Sequence, residues 1–231
     1  MRAVQAVHAT VRSTANAALV AISATLTLAA ATMVVVTAPP AAAQPACPGI
    51  HVVFARGTGE PPGIGRVGQA FVDALRGQIG NRTLTTYGVN YPASYDFGMA
   101  YDGANDASAY VVDFVKTCPT TRIVLGGYSQ GAAVLDMLMG IPPLGNRIGN
   151  LGAPLPPGLS PNVAAVAAFG NPATKFGNPI TSANHLFAGR AIDLCKDGDP
   201  ICSDGRNPFA HSDYVSAGLA NQAASFVARL V

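Results

Sequence analysis

Short apolar runs alternate with amphipathic stretches along most of the chain, and this alternation predicts an α/β fold. Four of the runs are strongly apolar and a fifth is weaker. Most of them are continuously apolar instead of alternating with polar residues, as expected for parallel strands that are covered on both faces. The five predicted strands are Ile50–Ala55, Leu84–Tyr91, Arg122–Gly126, Val163–Phe169 and Leu186–Ile192.

The amphipathic stretches carry the periodicity of helices, because their apolar residues recur at intervals of three and four positions. We expect Ser212 to cap the last helix. Segment 142–161 is crowded with Pro and Gly and predicts a long surface loop, which would either border a binding cleft or only connect two elements. The predicted helices cover residues 67–79, 107–118, 132–139 and 213–230.

The first 43 residues have the order of a secretory signal peptide. Two arginines precede an uncharged run over 17–36, and a small-residue cleavage site ends at Ala43. A permanent membrane anchor is the alternative, since a run of 20 residues just spans a bilayer. The serine and threonine residues within the run, and the cleavage site directly after it, favour a leader that is cleaved off. We therefore expect a leader over 1–43 and a secreted or wall-associated domain over 44–231.

Charge and composition narrow the class of protein. The chain of 231 residues has 14 Lys and Arg against 12 Asp and Glu, and the excess lies in the leader. No basic surface is therefore expected that would hold nucleic acid or an anionic membrane. An apolar fraction of 49% excludes a disordered chain and a collagen-like fibre. The chain beyond the leader suits one ordinary globular domain.

Four cysteines, all beyond the leader, predict two disulfides in an exported protein. Of the three possible pairings we favour Cys195–Cys202, because only six residues separate these two, and this leaves Cys47 for Cys118. Zinc binding is the weaker alternative, since no C-x-x-C spacing is present. Neither a metal nor a cofactor is expected.

The pentapeptide Gly127-Tyr-Ser-Gln-Gly131 matches the pattern G-x-S-x-G between a predicted strand and a predicted helix. A sharp turn in this context lifts the serine hydroxyl over the edge of the sheet at a helix N-terminus. The alternative is a glycine-rich packing turn, which the pentapeptide alone does not exclude. Ser129 is thus the candidate nucleophile.

A serine nucleophile needs a base and an acid, and in such hydrolases they follow the serine in the order Asp, His. His51 precedes the serine and His185 opens a predicted strand, which leaves His211 in the loop before the last helix. Asp199 is favoured as the acid, because a ring closed by the last two cysteines would hold its loop rigidly. The other candidates by position are Asp193, Asp197 and Asp204.

Hydrolysis also needs donors for the negative charge on the carbonyl oxygen. The backbone N–H of Gln130, directly after the nucleophile, is the expected first donor. Thr58, in the loop that leaves the first strand, offers an N–H and a hydroxyl as the second. The alternative for this loop is a Gly-rich turn with an ion pair between Arg56 and Glu60.

Together, these segments resemble the cutinase family of serine esterases, and more closely the cutinase-like proteins that actinobacteria secrete. Their order and spacing cover nearly all of residues 46–231. The resemblance implies a three-layer α/β-hydrolase fold with a five-stranded, mainly parallel sheet and no large lid. Segment 142–161 departs from the short fungal members. The matching segments are Phe54–Glu60, Gly127–Gly131, Cys195–Cys202 and the loop around His211.

Position by position, the resemblance assigns the nucleophile to Ser129, the acid to Asp199 and the base to His211, with Thr58 and Gln130 as oxyanion donors. We expect a cofactor-free, monomeric esterase that cleaves carboxylic esters of short to medium acyl chains. Acetylxylan, triglyceride or phospholipid hydrolysis on the same scaffold are alternatives, and an inactive cell-surface antigen is another. The apolar residues Pro208 and Phe209 beside the base favour an acyl chain over a sugar as substrate. We also expect transient contact with a lipid or cell-wall surface.

Overall fold

The structure, a computed structural model, describes residues 46–146 and 151–231. The predicted leader lies outside the described residues. None of the helices among these described residues has the length and hydrophobicity that a membrane span requires. The strands are β1 (Ile50–Ala55), β2 (Leu84–Gly88), β3 (Arg122–Tyr128), β4 (Pro143–Asn146), β5 (Val163–Phe169) and β6 (Ala191–Leu194), and the α-helices are α1 (Gly65–Arg76), α2 (Ala100–Thr117), α3 (Gln130–Leu138), α4 (Pro172–Lys175), α5 (Ile180–Ala183) and α6 (Leu219–Ala228).

Five strands form one sheet in the order β2-β1-β3-β5-β6, and each neighbouring pair is parallel. In the register, Phe54 of β1 lies opposite Gly88 of β2 on one side and Gly126 of β3 on the other. The predicted five-stranded parallel sheet is confirmed. Because all five strands run in one direction, their carboxyl ends meet at one edge, where open α/β sheets bind their ligands.

Helices cover both faces of this sheet and give the three predicted layers. α1 and α6 pack on one face, and α2 and α3 pack on the other. Successive residues of a strand contribute to opposite cores, so that Val52 and Phe54 of β1 face α1 while Val53 and Ala55 face the α3 side. This two-sided burial explains why the strands are apolar at every position.

The last strand starts later than predicted. β6 begins at Ala191, whereas the sequence suggested a start at Leu186. The side chain of Asn184 accepts a hydrogen bond from the N–H of Leu186 and closes a 3₁₀ turn over His185–Phe187. An apolar but exposed leucine therefore belongs to a turn, and His185 does not open a strand.

The last helix is also shorter than predicted. α6 begins at Leu219 and follows Gly218, which has a φ of 77°. Glycine adopts this left-handed conformation without the steric cost of a side chain. Ser212 ends a separate 3₁₀ turn that starts at Ala210 and does not cap the helix.

The described parts of segment 142–161, residues 142–146 and 151–161, are more structured than a connecting loop. They contain β4, which lies outside the five-stranded sheet, and a 3₁₀ helix over Pro157–Asn162. Between them Leu155 is buried, and its N–H donates to the carbonyl of Leu138 at 2.8 Å. The segment thus packs against the end of α3.

Two disulfides are present, with the pairing favoured from the sequence. Cys47 and Cys118, with Cα atoms 5.5 Å apart, join the segment before β1 to the end of α2. Cys195 and Cys202, with Cα atoms 5.8 Å apart, close a short ring after β6. The second bond holds a loop at the carboxyl edge of the sheet.

The segments at both ends of the described domain lie beside the start of β3. The hydroxyl of Thr121 donates to the carbonyl of Pro48 at 2.7 Å, just before β1. The guanidinium of Arg122 donates to the carbonyl of Leu230 at 2.9 Å, just after α6. Both contacts are at the amino-terminal edge of the sheet.

Candidate active site

The sharp turn between β3 and α3 carries Ser129. Its φ of 56° and ψ of −117° lie outside the regions that L-residues ordinarily adopt. The N–H of Ser129 donates to the carbonyl of Phe169 at 2.8 Å, which fixes the turn to β5. A Cβ on Gly127 would lie 2.2 Å from the carbonyl oxygen of Gly131, and one on Gly131 would lie 1.9 Å from that of Ala55. The backbone therefore requires both glycines of the motif.

The imidazole of His211 lies against the serine hydroxyl. Its Nε2 is 2.8 Å from Oγ of Ser129, and its Nδ1 is 2.7 Å from Oδ2 of Asp199. The side chain of His211 is 20% exposed, so the ring is open to an incoming substrate. The structure thus brings the predicted nucleophile, base and acid into one chain of hydrogen bonds.

The carboxylate of Asp199 is fully buried and yet well bonded. Besides His211, the hydroxyl of Tyr214 donates to its Oδ2 at 2.6 Å and the N–H of Ile201 donates to its Oδ1 at 2.8 Å. Burial alone would raise the pKa of Asp199, but these hydrogen bonds and the attraction to His211 lower the pKa below its ordinary value. The group is therefore an ionised acceptor at neutral pH.

Two tyrosines that the sequence did not single out support this arrangement. Tyr214 is fully buried against Asp199, and burial followed by that hydrogen bond raises its pKa. Tyr128 donates to the backbone carbonyl of His211 at 2.5 Å, and burial raises the pKa of Tyr128 to about 12. Both phenols therefore stay protonated donors. The only signal in the sequence was their position, next to the serine and three residues after the histidine.

The other acids considered from the sequence lie elsewhere. Asp197 and Asp204 are exposed. Asp193 accepts from the side-chain amide of Asn171 at 2.8 Å and from the N–H of Thr181 at 3.3 Å. None of the three has a hydrogen bond to His211 among those of the described residues.

The other two histidines of the described residues have structural environments. His51 is buried, with its ring stacked on Phe114 at 4.1 Å and its nitrogens bonded to Thr85 and Tyr110 at 2.7 and 3.0 Å. Burial lowers the pKa of His51 to about 4. His185 is exposed in its 3₁₀ turn.

The proposed oxyanion donors face each other across the turn. The hydroxyl of Thr58 lies 3.5 Å from Oε1 of the fully buried Gln130. The amide of Gln130 donates in turn to the carbonyl of Ser94 at 3.0 Å, and the N–H of Gly59 donates to the carbonyl of Ala93 at 2.7 Å. These bonds hold the loop after β1 next to the N-terminus of α3.

A buried arginine holds the same loop. Arg56 donates to the carbonyls of Glu60 and Tyr91 at 2.8 and 2.6 Å, with its guanidinium 5.0 Å from the ring of Tyr91. The carboxylate of Glu60 instead accepts from the N–H groups of Gly57 and Arg66, at 2.6 and 2.8 Å. The loop is therefore tied by bonds to backbone groups and not by the ion pair considered from the sequence.

Chemically, the site offers a serine hydroxyl, an imidazole in hydrogen-bond contact with it and backbone N–H donors at a helix N-terminus. Such a set suits acyl transfer. Over residues 46–146 and 151–231, no group of three or more His, Cys, Asp or Glu is placed to hold a metal ion.

Comparison with known proteins gives consistent matches. The family model described as Cutinase matches residues 46–231. Phospholipase Culp4 of Mycobacterium tuberculosis is 53% identical over 193 residues, which are 83% of this chain and 81% of that protein. A Trichoderma reesei cutinase solved with a C11Y4 phosphonate inhibitor superposes with a TM-score of 0.64 at 33% identity, over 80% of this chain and 77% of that one. The catalytic core domain of acetyl xylan esterase from Trichoderma reesei has a TM-score of 0.65 at 26% identity, over 80% and 100%.

Proposed function

Because the chain belongs to the cutinase family, we propose that it is a serine esterase that hydrolyses carboxylic esters of short to medium acyl chains. The observation that carries this proposal is the bonded series Ser129–His211–Asp199, with distances of 2.8 and 2.7 Å. The distance of 2.8 Å between Oγ of Ser129 and Nε2 of His211 is within the reach that proton transfer requires.

In the proposed reaction, Oγ of Ser129 attacks the ester carbonyl while Nε2 of His211 takes the hydroxyl proton. Asp199 stabilises the imidazolium that forms. The N–H of Gln130, with the N–H and hydroxyl of Thr58, binds the oxyanion, and each such donor typically lowers the barrier by about 2.7–4 kcal/mol. His211 then returns the proton to the departing alcohol. Water hydrolyses the acyl-enzyme with the same base.

A lipid-like ester is the favoured substrate. The relative with 53% identity is named a phospholipase, and the domain also resembles a cutinase. Phe209, two residues before the base, is 81% exposed, and Tyr95, next to the carbonyl that Gln130 binds, is 87% exposed. Aromatic side chains at the mouth of the site support contact with acyl chains or a lipid surface. The likeness to acetyl xylan esterase supports an acetylated sugar as the second candidate.

We also propose that the chain is exported, with residues 1–43 as a cleaved leader and residues 44–231 as the active domain. We propose that this domain acts as a monomer. The order of charged, apolar and small residues in the first 43 positions supports this. The two disulfides are typical of proteins from oxidising compartments. Transient contact with a lipid or cell-wall surface would follow from export.

The decisive experiment is the substitution Ser129→Ala in the secreted form. We expect kcat for p-nitrophenyl butyrate to fall by at least about 10⁴-fold, because the covalent step is lost. Labelling by a fluorophosphonate probe should disappear while circular dichroism is unchanged. Ser182→Ala, at an exposed serine in α5, is the control and should retain labelling and turnover. Undiminished turnover by a folded Ser129→Ala protein would refute the proposal.

A further inference from the structure

The candidate base His211 lies in the middle of a 3₁₀ turn of three residues, Ala210–Ser212, which we call the base turn. Backbone N–H groups of the turn region donate to the carbonyls of Phe209 and Ala210. The carbonyls of His211 and Ser212 accept instead from side chains of other elements. A turn this short has few internal hydrogen bonds, so these outside donors help to fix its position.

The two outside donors come from β3 and α1. The hydroxyl of Tyr128, at the end of β3, donates to the carbonyl of His211 at 2.5 Å. The guanidinium of Arg66, in the first turn of α1, donates to the carbonyl of Ser212 at 2.8 Å. Burial raises the pKa of Tyr128 to about 12, and the positive charge of Arg66 opposes that rise. Both groups are therefore protonated donors at neutral pH, and they lie close enough to influence each other.

The carboxylate of Glu60 joins Arg66 to the loop after β1, which carries Thr58. Its Oε1 accepts from the N–H of Arg66 at 2.8 Å, and its Oε2 accepts from the N–H of Gly57 at 2.6 Å. Gly65, directly before Arg66, has a φ of 66°, and a Cβ on it would lie 2.3 Å from Oε2 of Glu60. The start of α1 therefore needs a glycine to approach this carboxylate so closely.

The loop after β1 also contacts the second donor to the base turn. A Cβ on Gly57 would lie 2.7 Å from a ring carbon of Tyr128, so the backbone directly before Thr58 rests on that ring. Gly57 thus contacts Tyr128 itself and also Glu60, which is bonded to the backbone of Arg66. A shift of this loop would change the surroundings of both donors.

We propose that Arg66 is a positioning residue for His211, acting together with Tyr128, and that Glu60 couples the position of the base to that of the loop after β1. The inference rests on the proposed esterase function. A displacement of a catalytic group by about 1 Å can lower a rate about a hundredfold. Partial loosening of the base turn should therefore lower kcat and change KM little.

The first test measures kcat and KM for p-nitrophenyl butyrate. We expect Arg66→Met to lower kcat about fivefold and Tyr128→Phe about tenfold, because Arg66 is exposed whereas Tyr128 is buried. KM should change less than about twofold. Because the two donors hold the same short turn, loss of both should lower kcat by more than the product of the single losses.

Arg76→Met is the matched control for Arg66→Met. Arg76 is also an exposed arginine of α1, but it lies in the last turn of the helix and is bonded to Asp73 at 3.2 Å. Its replacement should leave kcat and KM at the wild-type values. Circular dichroism should be unchanged in Arg66→Met and Arg76→Met, since both side chains are on the surface.

The second test observes the base directly and does not need turnover. The proton between Nδ1 of His211 and the carboxylate of Asp199 gives a proton NMR resonance downfield of the backbone amides. We expect Arg66→Met to broaden this resonance, because a looser turn lets the proton exchange faster with water. Glu60→Gln should broaden it as well, although the contacts of Glu60 are in the loop after β1 and α1. Arg76→Met should leave it sharp.

Wild-type kcat and a sharp resonance in Arg66→Met would overturn the positioning role, and so would a loss confined to KM. A double-variant loss no larger than the product would overturn the joint action with Tyr128. An unchanged resonance in Glu60→Gln would overturn the coupling, whatever happens to kcat. If wild type neither turns over esters nor reacts with a fluorophosphonate, the esterase proposal fails, and the resonance alone decides the role of Arg66.

Discussion

Tyr214 connects the candidate acid to the fold through one hydroxyl group. The hydroxyl donates to Asp199 at 2.6 Å and accepts from the N–H of Lys196 at 3.2 Å. Because the phenol is buried and its pKa is raised, it remains a donor over the whole working range of pH. We therefore expect Tyr214 to position Asp199 and not to act on the substrate itself.

We predict that Tyr214→Phe lowers kcat/KM about ten- to a hundredfold, because a hydrogen bond to a charged group contributes about 1.5–3 kcal/mol. The donor also helps to lower the pKa of Asp199, so its loss raises that pKa and moves the acidic limb of the pH–rate profile to higher pH. The profile of kcat/KM against pH measures both effects.

Tyr87→Phe is the matched control for this substitution. Tyr87 also donates to a carboxylate, that of Asp106, at 2.9 Å, but on another part of the surface. Loss of the Tyr87 hydroxyl should leave the profile of kcat/KM against pH unchanged. If Tyr214→Phe loses activity equally at every pH, a role through the ionisation of Asp199 is wrong.

At the scale of single residues, the sequence singled out the three side chains that the structure joins by hydrogen bonds. The motif and the chain order singled out Ser129 and His211, and the Cys ring directed attention to Asp199. Tyr214 carries no motif, and its role depends on a turn that returns its hydroxyl to the acid. Local spacing cannot predict a contact of this kind.

The loop between Cys195 and Cys202 is the element that holds the acid. Its disulfide keeps the loop closed, and Sγ of Cys202 lies 3.4 Å from the hydroxyl of Tyr214. The bond thus restrains both Asp199 and the tyrosine that donates to it. The other disulfide, Cys47–Cys118, joins segments remote from the triad in the fold.

We predict different consequences for the loss of the two disulfides. Replacing Cys195 and Cys202 by Ser should lower stability by about 2.5 kcal/mol, and kcat by about tenfold or more, because the acid loop gains freedom. Replacing Cys47 and Cys118 by Ser should lower stability by about 4 kcal/mol, since the closed loop is longer, with kcat nearly unchanged while the protein is folded. Urea unfolding and kcat measured well below the transition separate the two. Equal losses of kcat in both double variants would contradict the prediction.

Among the elements, β1 and β5 match their predicted bounds because continuous burial leaves a clear apolar run. β6 and α6 were misplaced for local reasons. A side-chain hydrogen bond of Asn184 forms a turn before β6, and the left-handed Gly218 interrupts the chain before α6. The hydrophobic periodicity of the sequence reveals neither of these features. β4 was missed because its glycine and proline predict a loop.

At the scale of the whole molecule, buried ionisable groups make stability depend on pH. His51, 3% exposed between β1 and α2, has its pKa lowered to about 4 by burial. The unfolded chain binds a proton at this residue below pH about 6.5, whereas the folded chain does so only below about 4. Between these values the unfolded state binds more protons, so stability falls as the pH falls.

Two carboxyl groups act in the opposite sense. Burial raises the pKa of Asp136 well above its usual range, and burial also raises that of Asp193, which shares the amide of Asn171 with it. The folded state binds protons at these groups more readily than the unfolded chain. They therefore add stability as the pH falls and partly offset the effect of His51.

We predict that His51→Gln reduces the loss of stability between pH 7 and pH 4.5, because His51 contributes up to about 3 kcal/mol of that loss. Urea unfolding at both pH values measures it. His185→Gln, at an exposed histidine, should keep the wild-type difference. If the two variants lose stability alike between the two pH values, burial of His51 is not the cause.

The contacts of Pro48 with Thr121 and of Leu230 with Arg122 place the two ends of the described domain, and this placement matters when the protein is attached to a support. Both ends of the described domain leave from the amino-terminal edge of the sheet, whereas Ser129 and His211 lie at the carboxyl edge. A carrier protein, a bead or a lipid anchor joined to either end would therefore lie on the side of the domain opposite the candidate active site. The immobilised molecule would then present its reactive side outward, toward an insoluble polymer or a membrane.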